Sequence, residues 1–223
     1  SRSWFRCGDA RTRGPMRDLL QRFDHCAKFV LRRWFRPDCC LNATRVTVLV
    51  CEAFGIECRE RSVTTLVMNE PWLKMLNRLG RVPTQKESDA CVARGGWAMG
   101  TDIRQGDHAD GWCGHLVAVV GSGDSRYMVD ASARQFCRPL HDIKAPDIAI
   151  VEASGLIADE PLLFKLGNAY ASYALRRGDK SYRLLPGFAV SAHNQECAAE
   201  IVAAMRRAPG RIHAADIIGA TRR

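Results

Sequence analysis

Along this chain two adjacent cysteines are followed by a histidine and then an aspartate, and these residue types together can form a thiol-based catalytic site. Cys39 and Cys40 stand where a helix is predicted to begin, and the free N–H groups of a helix N-terminus stabilise a thiolate. His115 opens a predicted strand, and Asp130 ends the next one. Because a thiol nucleophile needs an imidazole base that a third group holds in one tautomer, this set predicts cysteine-based nucleophilic catalysis.

The strands that would hold the histidine and the aspartate are the clearest hairpin in the sequence. They are predicted over residues 115–121 and 126–131, and a Ser-Gly-Asp-Ser segment joins them. If the Ser-Gly pair forms a two-residue turn, His115 lies directly opposite Asp130, with Cβ atoms about 4.5–5.5 Å apart. The imidazole could then donate one N–H to the carboxylate and keep its other nitrogen as a base.

The helix that would present the nucleophile is predicted to start at Cys39 after an Asp38 N-cap and to end at Gly55. It is apolar nearly all round, which is typical of a helix buried inside a domain. Cys40 begins a stripe that continues through Thr44 and could face a sheet, so Cys40 is the preferred nucleophile. Cys39 remains the alternative.

The remaining elements follow the order helices, antiparallel strands, final helix. They are a helix over 15–35, a strand over 56–68, a short helix over 71–79, a long Gly-rich loop over 80–112, a weak strand over 145–153, a hairpin of 170–175 with 181–185, and a helix over 195–207. The fold class predicted is therefore α+β, with N-terminal helices, including the buried cysteine-bearing helix, packed on an antiparallel β-sheet.

The net charge of +9 is concentrated at the two ends of the chain. Residues 1–36 have a net charge of +7 and residues 205–223 of +4, whereas residues 37–204 have −2. We therefore expect a basic N-terminal helical segment over 1–36, a catalytic domain over 37–207 and a basic tail over 208–223. A solvated charged helix face and a frayed tail are the commoner explanation of such basic ends, and the alternative is a surface for an acidic partner or a nucleic acid.

Composition excludes several classes of protein. A hydrophobic fraction of 47% excludes disorder as the main state, and no run of about 18 uncharged apolar residues predicts a membrane span. The start of the chain has no apolar run of signal-peptide length. Ten cysteines occur without a CxxC pair, so the sequence predicts no metal site, no cofactor and mostly free thiols in a reducing, cytoplasmic compartment.

The segments DCCLNATRVTVLVCEAFGIECRE, GWCGHLVAVVG and YMVDASARQF together resemble the transglutaminase-like branch of the papain-like thiol enzymes. In that superfamily a Cys-bearing helix runs into a strand, a His follows in a GHxxV segment, and an Asp follows in a later strand. The resemblance covers roughly residues 35–140. It implies a papain-like or transglutaminase-like core and a triad of Cys40, His115 and Asp130.

The resemblance implies an acyl-transfer enzyme that acts on a protein, a peptide or a small amide or acyl compound. Hydrolysis as a peptidase, amidase or deamidase and transfer to an amine both remain open, as does the oligomeric state. Five further residues are candidates for lining the site: Trp34, Trp97, Trp112, Cys113 and Gln135. The alternatives are a binding protein that keeps the fold but not the activity and a nucleic-acid-binding protein that uses the basic termini.

Overall fold

A computed structural model describes residues 15–36, 39–101, 114–123, 126–153, 156, 160–189 and 191–208. Within these ranges the protein is α+β, and its helices pack on an antiparallel sheet. The helices are α1 (Pro15–Trp34), α2 (Cys40–Ala53), α3 (Glu70–Leu79), α4 (Gln85–Val92) and α5 (Ala192–Arg207). The strands are β1 (Cys58–Met68), β2 (Ala98–Thr101), β3 (His115–Val120), β4 (Tyr127–Asp130), β5 (Ala149–Glu152), β6 (Leu162–Leu166) and β7 (Ala169–Leu175).

In the described residues the sheet has seven strands in the order β5-β4-β3-β1-β7-β6, and β2 also pairs with β1. The long strand β1 is central, because β3 and β2 pair with successive parts of one of its edges and β7 pairs with the other edge. On this edge His115 lies opposite Val63 and Thr101 opposite Thr65. His115 is therefore at the end of β3 that meets the end of β2, in the middle of the sheet.

Alternate residues of the central strands supply two separate cores. On one side, Ala118 and Val120 of β3 pack with buried residues of α1, α2 and α5. On the other side, Val117 packs with residues from β1, β7 and the 3₁₀ turn Ala133–Phe136. Because β3 is covered on both faces, it reads as a continuous apolar run, and each fully buried valine contributes roughly 1.5–3 kcal/mol.

Helix α2 is buried because apolar side chains cover most of its circumference. Its buried residues are Cys40, Ala43, Thr44, Val46, Thr47, Val48, Val50 and Cys51. It packs against α5 and against β3 and β1. This confirms the expectation of a buried cysteine-bearing helix behind the sheet.

The start of α2 differs from the prediction by one residue. Cys40 is the first helical residue, and Cys39 is the N-cap without a side-chain hydrogen bond to the helix. Asp38, the predicted N-cap, lies outside the described residues. Among the described residues, no side chain is seen to cap the first turn of α2.

The predicted register of the His115 hairpin is wrong by two residues. Ala118 pairs with Val129 and Val120 with Tyr127, so Asp130 lies across from Val117. The connection between the strands is longer than a two-residue turn, which shifts the pairing. Because the shift is an even number, His115 and Asp130 still point to the same face of the sheet, as diagonal neighbours.

Two further predictions are corrected by the structure. Residues 181–184 form a 3₁₀ turn and not a strand, and β7 forms its hairpin with β6. The segment predicted as a loop over 80–112 contains α4 and β2; a capping box between Thr84 and Glu87 begins this helix. That signal, a Thr followed three residues later by Glu, was present in the sequence.

In the described part of the chain, none of the helices has both the length and the apolar character that crossing a bilayer requires.

Candidate active site

A side-chain hydrogen bond fixes the position of α2 along β3. Thr44 donates its hydroxyl to the backbone carbonyl of Leu116, at 2.9 Å. Cys40 lies one helical turn before Thr44, and His115 is the residue before Leu116. The contact therefore brings the start of the helix to the start of the strand, and the thiol and the imidazole come from these two ends.

The Cys40 thiol is buried, with only 8% of the residue exposed, and it lies close enough to His115 to help raise the pKa of the imidazole. Leu116 and Tyr182 pack around it. Cys39 is half-buried at the N-cap, and Cys40 is the cysteine that affects the pKa of the His115 ring.

His115 and Asp130 form a fully buried hydrogen-bonded pair. Nε2 of His115 lies 2.9 Å from Oδ2 of Asp130, and the two side chains are 1% and 0% exposed. The aromatic rings of Phe136 and Tyr173 contact the imidazole edge-to-face at centroid distances of 5.3 and 5.7 Å. Because an ionised carboxylate only accepts, it fixes the ring proton on Nε2 and leaves Nδ1 as the nitrogen that can act as a base.

Tyr173 and Ser132, which were not candidates from the sequence, donate the other hydrogen bonds to the Asp130 carboxylate. The Tyr173 hydroxyl donates to Oδ2 of Asp130 at 2.6 Å, and the backbone N–H and the hydroxyl of Ser132 donate to Oδ1, each at 3.0 Å. An Asp-x-Ser spacing is a known turn signal and could have indicated Ser132. Tyr173 lies 43 residues from Asp130 on β7, and only the strand order brings it there.

The electrostatics of the pair follow from burial and mutual charge. Burial acts to lower the pKa of His115, but the charge and hydrogen bond of Asp130 and the contact with Cys40 outweigh it, so the pKa is raised above its ordinary value. Burial acts to raise the pKa of Asp130, but the charge and hydrogen bond of His115 and the donors Tyr173 and Ser132 hold it below its ordinary value. Burial and the charge of Asp130 raise the pKa of Tyr173. Tyr173 is therefore a neutral donor to an ionised carboxylate.

Gln135 is the candidate lining residue that reaches the imidazole. Its amide nitrogen Nε2 lies 3.0 Å from Nδ1 of His115 and 3.2 Å from Oγ of Ser132. It is placed there by the 3₁₀ turn that follows Asp130.

Trp34 and Trp97 do not join this network. The indole N–H of Trp34 donates to Glu200 of α5 at 2.9 Å, and its ring packs edge-to-face on His193. Trp97 stacks on His141 at a centroid distance of 5.0 Å and packs against the second core. Trp112 and Cys113 lie outside the described residues.

Among the described residues, no group of three or more His, Cys, Asp or Glu side chains is arranged to hold a metal ion. The described cysteines are all free thiols, at positions 26, 39, 40, 51, 58, 91, 137 and 197.

The chemistry available to the cluster follows from how its side chains are arranged. A thiol lies beside an imidazole, the imidazole donates to a carboxylate, and the carboxylate also accepts from a tyrosine, a serine hydroxyl and a backbone N–H. This order suits proton transfer from the thiol to Nδ1. Comparison with known proteins adds no assignment: no family model matches the chain, and no curated protein or solved structure is significantly similar to it.

Proposed function

We propose that the protein is a thiol-dependent acyl-transfer enzyme that uses Cys40 as nucleophile, His115 as general base and acid, and Asp130 as the group that orients His115. The observation that supports this most is the fully buried hydrogen-bonded pair of His115 and Asp130, with the buried Cys40 thiol close enough to help raise the pKa of the imidazole. The same three residues match the papain-like and transglutaminase-like pattern of the sequence. A reducing, cytoplasmic compartment suits a protein that depends on a free thiol.

In the first half of the reaction, the Cys40 thiol gives its proton to Nδ1 of His115, and the sulfur attacks the carbonyl carbon of an amide, ester or thioester. The carbonyl oxygen becomes an oxyanion, for which the backbone N–H of Cys40 in the first turn of α2 is a suitable donor. When the tetrahedral intermediate collapses, the bond to the leaving group breaks. His115 returns the proton to that nitrogen, oxygen or sulfur, and the acyl group stays on Cys40.

In the second half, water or an amine attacks the acyl-Cys40 thioester. His115 takes a proton from the attacking group and returns it to the sulfur as the thioester bond breaks. Water gives a carboxylic acid and an amine gives an amide, so the acceptor decides between hydrolysis and transfer. Asp130 remains ionised throughout and stabilises the imidazolium.

The acyl-enzyme is the species that tests this proposal. The protein would be incubated with p-nitrophenyl acetate, an acetyl thioester and an acetyl amide, and the peptides would be mapped by mass spectrometry. We expect one acetyl group on Cys40, lost on addition of hydroxylamine, and none in Cys40→Ala. Cys51→Ala is the matched control and should keep the acetylation. Equal acetylation of Cys40 and Cys51, or none on Cys40 with any donor, would contradict the proposal.

A second candidate function, binding of a polyanion, is favoured by an arginine-lined cavity at the far end of the sheet. Arg59, Arg61, Arg126 and Arg177 line a cavity of about 260 Å³, in which the one acidic lining residue is Glu57. These residues come from the near-neutral middle of the sequence and not from the termini. Guanidinium groups clustered around a cleft attract phosphates and carboxylates.

Retention on immobilised heparin, as a polyanion probe, tests this second function. The double variant with Arg61→Glu and Arg126→Glu should elute at a lower salt concentration than the wild type. Arg94→Glu, an exposed residue just after α4, is the control for net charge. If Arg94→Glu shortens retention as much per charge as the cavity variant does, the cavity has no special affinity for polyanions.

A further inference from the structure

Gln135 contacts two members of the candidate site through a single atom. Its amide Nε2 lies 3.0 Å from Nδ1 of His115 and 3.2 Å from Oγ of Ser132. Ser132 Oγ in turn lies 3.0 Å from Oδ1 of Asp130, and Oδ2 of the same carboxylate lies 2.9 Å from Nε2 of His115. The four side chains therefore form a closed ring of hydrogen bonds.

The direction of every hydrogen bond in this ring follows from the carboxylate. An ionised Asp130 can only accept, so Ser132 directs its single hydroxyl hydrogen to Oδ1. Ser132 Oγ must then accept from Gln135, which requires the amide nitrogen, and not the amide oxygen, to face it. The second hydrogen of that nitrogen points to His115, so Nδ1 accepts a hydrogen bond and has no proton of its own.

We propose that Gln135 is a positioning residue that stabilises the neutral imidazole with its lone pair on Nδ1, and that this contact breaks when Nδ1 receives the Cys40 proton. The part of this inference that concerns catalysis rests on the proposed function. The amide cannot simply rotate to offer its oxygen to a protonated Nδ1, since its oxygen would then face Ser132 Oγ, whose hydrogen is already given to Asp130. Protonation of the ring thus costs one hydrogen bond that Gln135 makes with the neutral form.

Gln135 opposes the other groups that face His115. Asp130 on β4 favours the imidazolium by its charge, Cys40 at the start of α2 does so as its sulfur loses a proton, and Tyr173 on β7 donates to Asp130. Gln135 stabilises only the neutral ring, because a hydrogen bond to the neutral form disfavours the charged one. Gln135 therefore limits how far the other groups shift the equilibrium towards a thiolate–imidazolium pair.

Removing the Gln135 amide should therefore favour the protonated form of His115, whereas the loss of a purely structural contact would not. Gln135→Met keeps the length of the side chain and removes both hydrogen bonds. We expect the pKa of His115, followed by NMR of its ring, to rise by roughly half a unit to one unit. The rate at which iodoacetamide alkylates Cys40 near neutral pH should rise about two- to tenfold. Gln135→Glu, which can accept from a protonated Nδ1, should raise the pKa further.

A pKa of His115 that stays unchanged or falls in both variants would overturn the inference, since a packing role lowers the melting temperature without moving the imidazole equilibrium. If Gln135→Met does not fold, Gln135→Ala gives the same sign. The ring is titrated without substrate, so this result is independent of acyl transfer. A raised pKa together with no acetylation of Cys40 would remove the proposed function and leave the role of Gln135 intact.

Discussion

Two buried cysteines on the same helix have opposite surroundings. Cys40 at the start of α2 lies beside the His115 imidazole, whereas Cys51 near the end of α2 lies beside the Cys58 thiol of β1. Cys51 and burial raise the pKa of Cys58 well above its ordinary value. The two thiols of α2 are thus both buried but have different neighbours. What distinguishes the two ends is the imidazole and carboxylate that the sheet supplies at one of them.

The surroundings of the two ends of α2 also differ in their hydrogen bonds. Around Asp130 each carboxylate oxygen accepts from at least two donors. Cys51 belongs to the apolar core that also contains Ala43, Val46 and Val50. Changes at the polar end should therefore have large effects on both chemistry and stability, and changes at the apolar end should affect stability alone.

The largest effect is expected from Asp130→Asn. An amide has one acceptor oxygen in place of two, so it cannot satisfy Tyr173, Ser132 and the N–H of His115 together. The acylation rate should fall by roughly 10³–10⁴, as when the imidazole of a catalytic triad is held in the wrong tautomer. The rate is measured by acetylation of Cys40, and a loss of less than tenfold would show that Asp130 does not orient the base. Thermal unfolding of the same variant should show a loss of about 2–4 kcal/mol.

The next largest effect is the pH dependence of the free energy of unfolding that arises from the buried pair of His115 and Asp130. The pKa of His115 is raised on folding, so its contribution is fully present below about pH 6.5, the ordinary value, and is lost as the pH rises through the raised pKa. The pKa of Asp130 is lowered, so its contribution is present above about pH 4 and is lost as the pH falls through the lowered pKa. The free energy of unfolding of the wild type minus that of His115→Gln should thus be greatest between these limits. A difference that stays flat from pH 5 to 10 would contradict the ion pair.

A smaller effect is expected from Thr44→Val, which removes the hydroxyl that holds α2 on β3. The buried Leu116 carbonyl loses a donor, which costs about 1–3 kcal/mol, and the Cys40 alkylation rate should fall several-fold as the thiol moves from the imidazole. Thr47→Val is the matched control, because the Thr47 hydroxyl donates to Ala43 within α2 itself, at 2.8 Å. If both variants lower the Cys40 rate equally, the link to β3 does not position the thiol.

The smallest effect is expected from Tyr173→Phe. The ring keeps its edge-to-face contacts with Phe136, Phe164 and His115, and only the hydroxyl bond to Asp130 is lost. We expect a loss of about 1–2 kcal/mol in the free energy of unfolding and a reduction of acylation of less than tenfold. A reduction as large as that of Asp130→Asn would show that Tyr173 takes part in the reaction directly.

The local part of this arrangement was predictable from the sequence. The all-round apolar character of α2, the apolar run of β3 and the order Cys, His, Asp all depend on short segments, and they led to Cys40, His115 and Asp130 as one set. The diagonal pairing of His115 with Asp130 was not predictable, because it depends on the length of the connection between β3 and β4. The even shift in register kept both side chains on one face.

The non-local part was not predictable for a different reason. Tyr173 reaches Asp130 because β7 and β3 flank β1 on opposite edges, and no short segment encodes that order. Thr44 contacts Leu116 across the packing of a helix on a sheet, 72 residues apart. The indole of Trp34 binds Glu200 on α5, which a helix-face pattern on α1 does not reveal.

The most direct test of this account is the alkylation rate of each cysteine, measured with iodoacetamide near neutral pH and resolved by peptide mass spectrometry, in the wild type and in His115→Ala. In the wild type Cys40 should react faster than an ordinary free thiol and far faster than Cys51, although both are buried on α2. In His115→Ala the rate at Cys40 should fall to that of Cys51. Equal rates for the two cysteines in the wild type, or a Cys40 rate that His115→Ala leaves unchanged, would contradict the central claim that the imidazole activates this thiol.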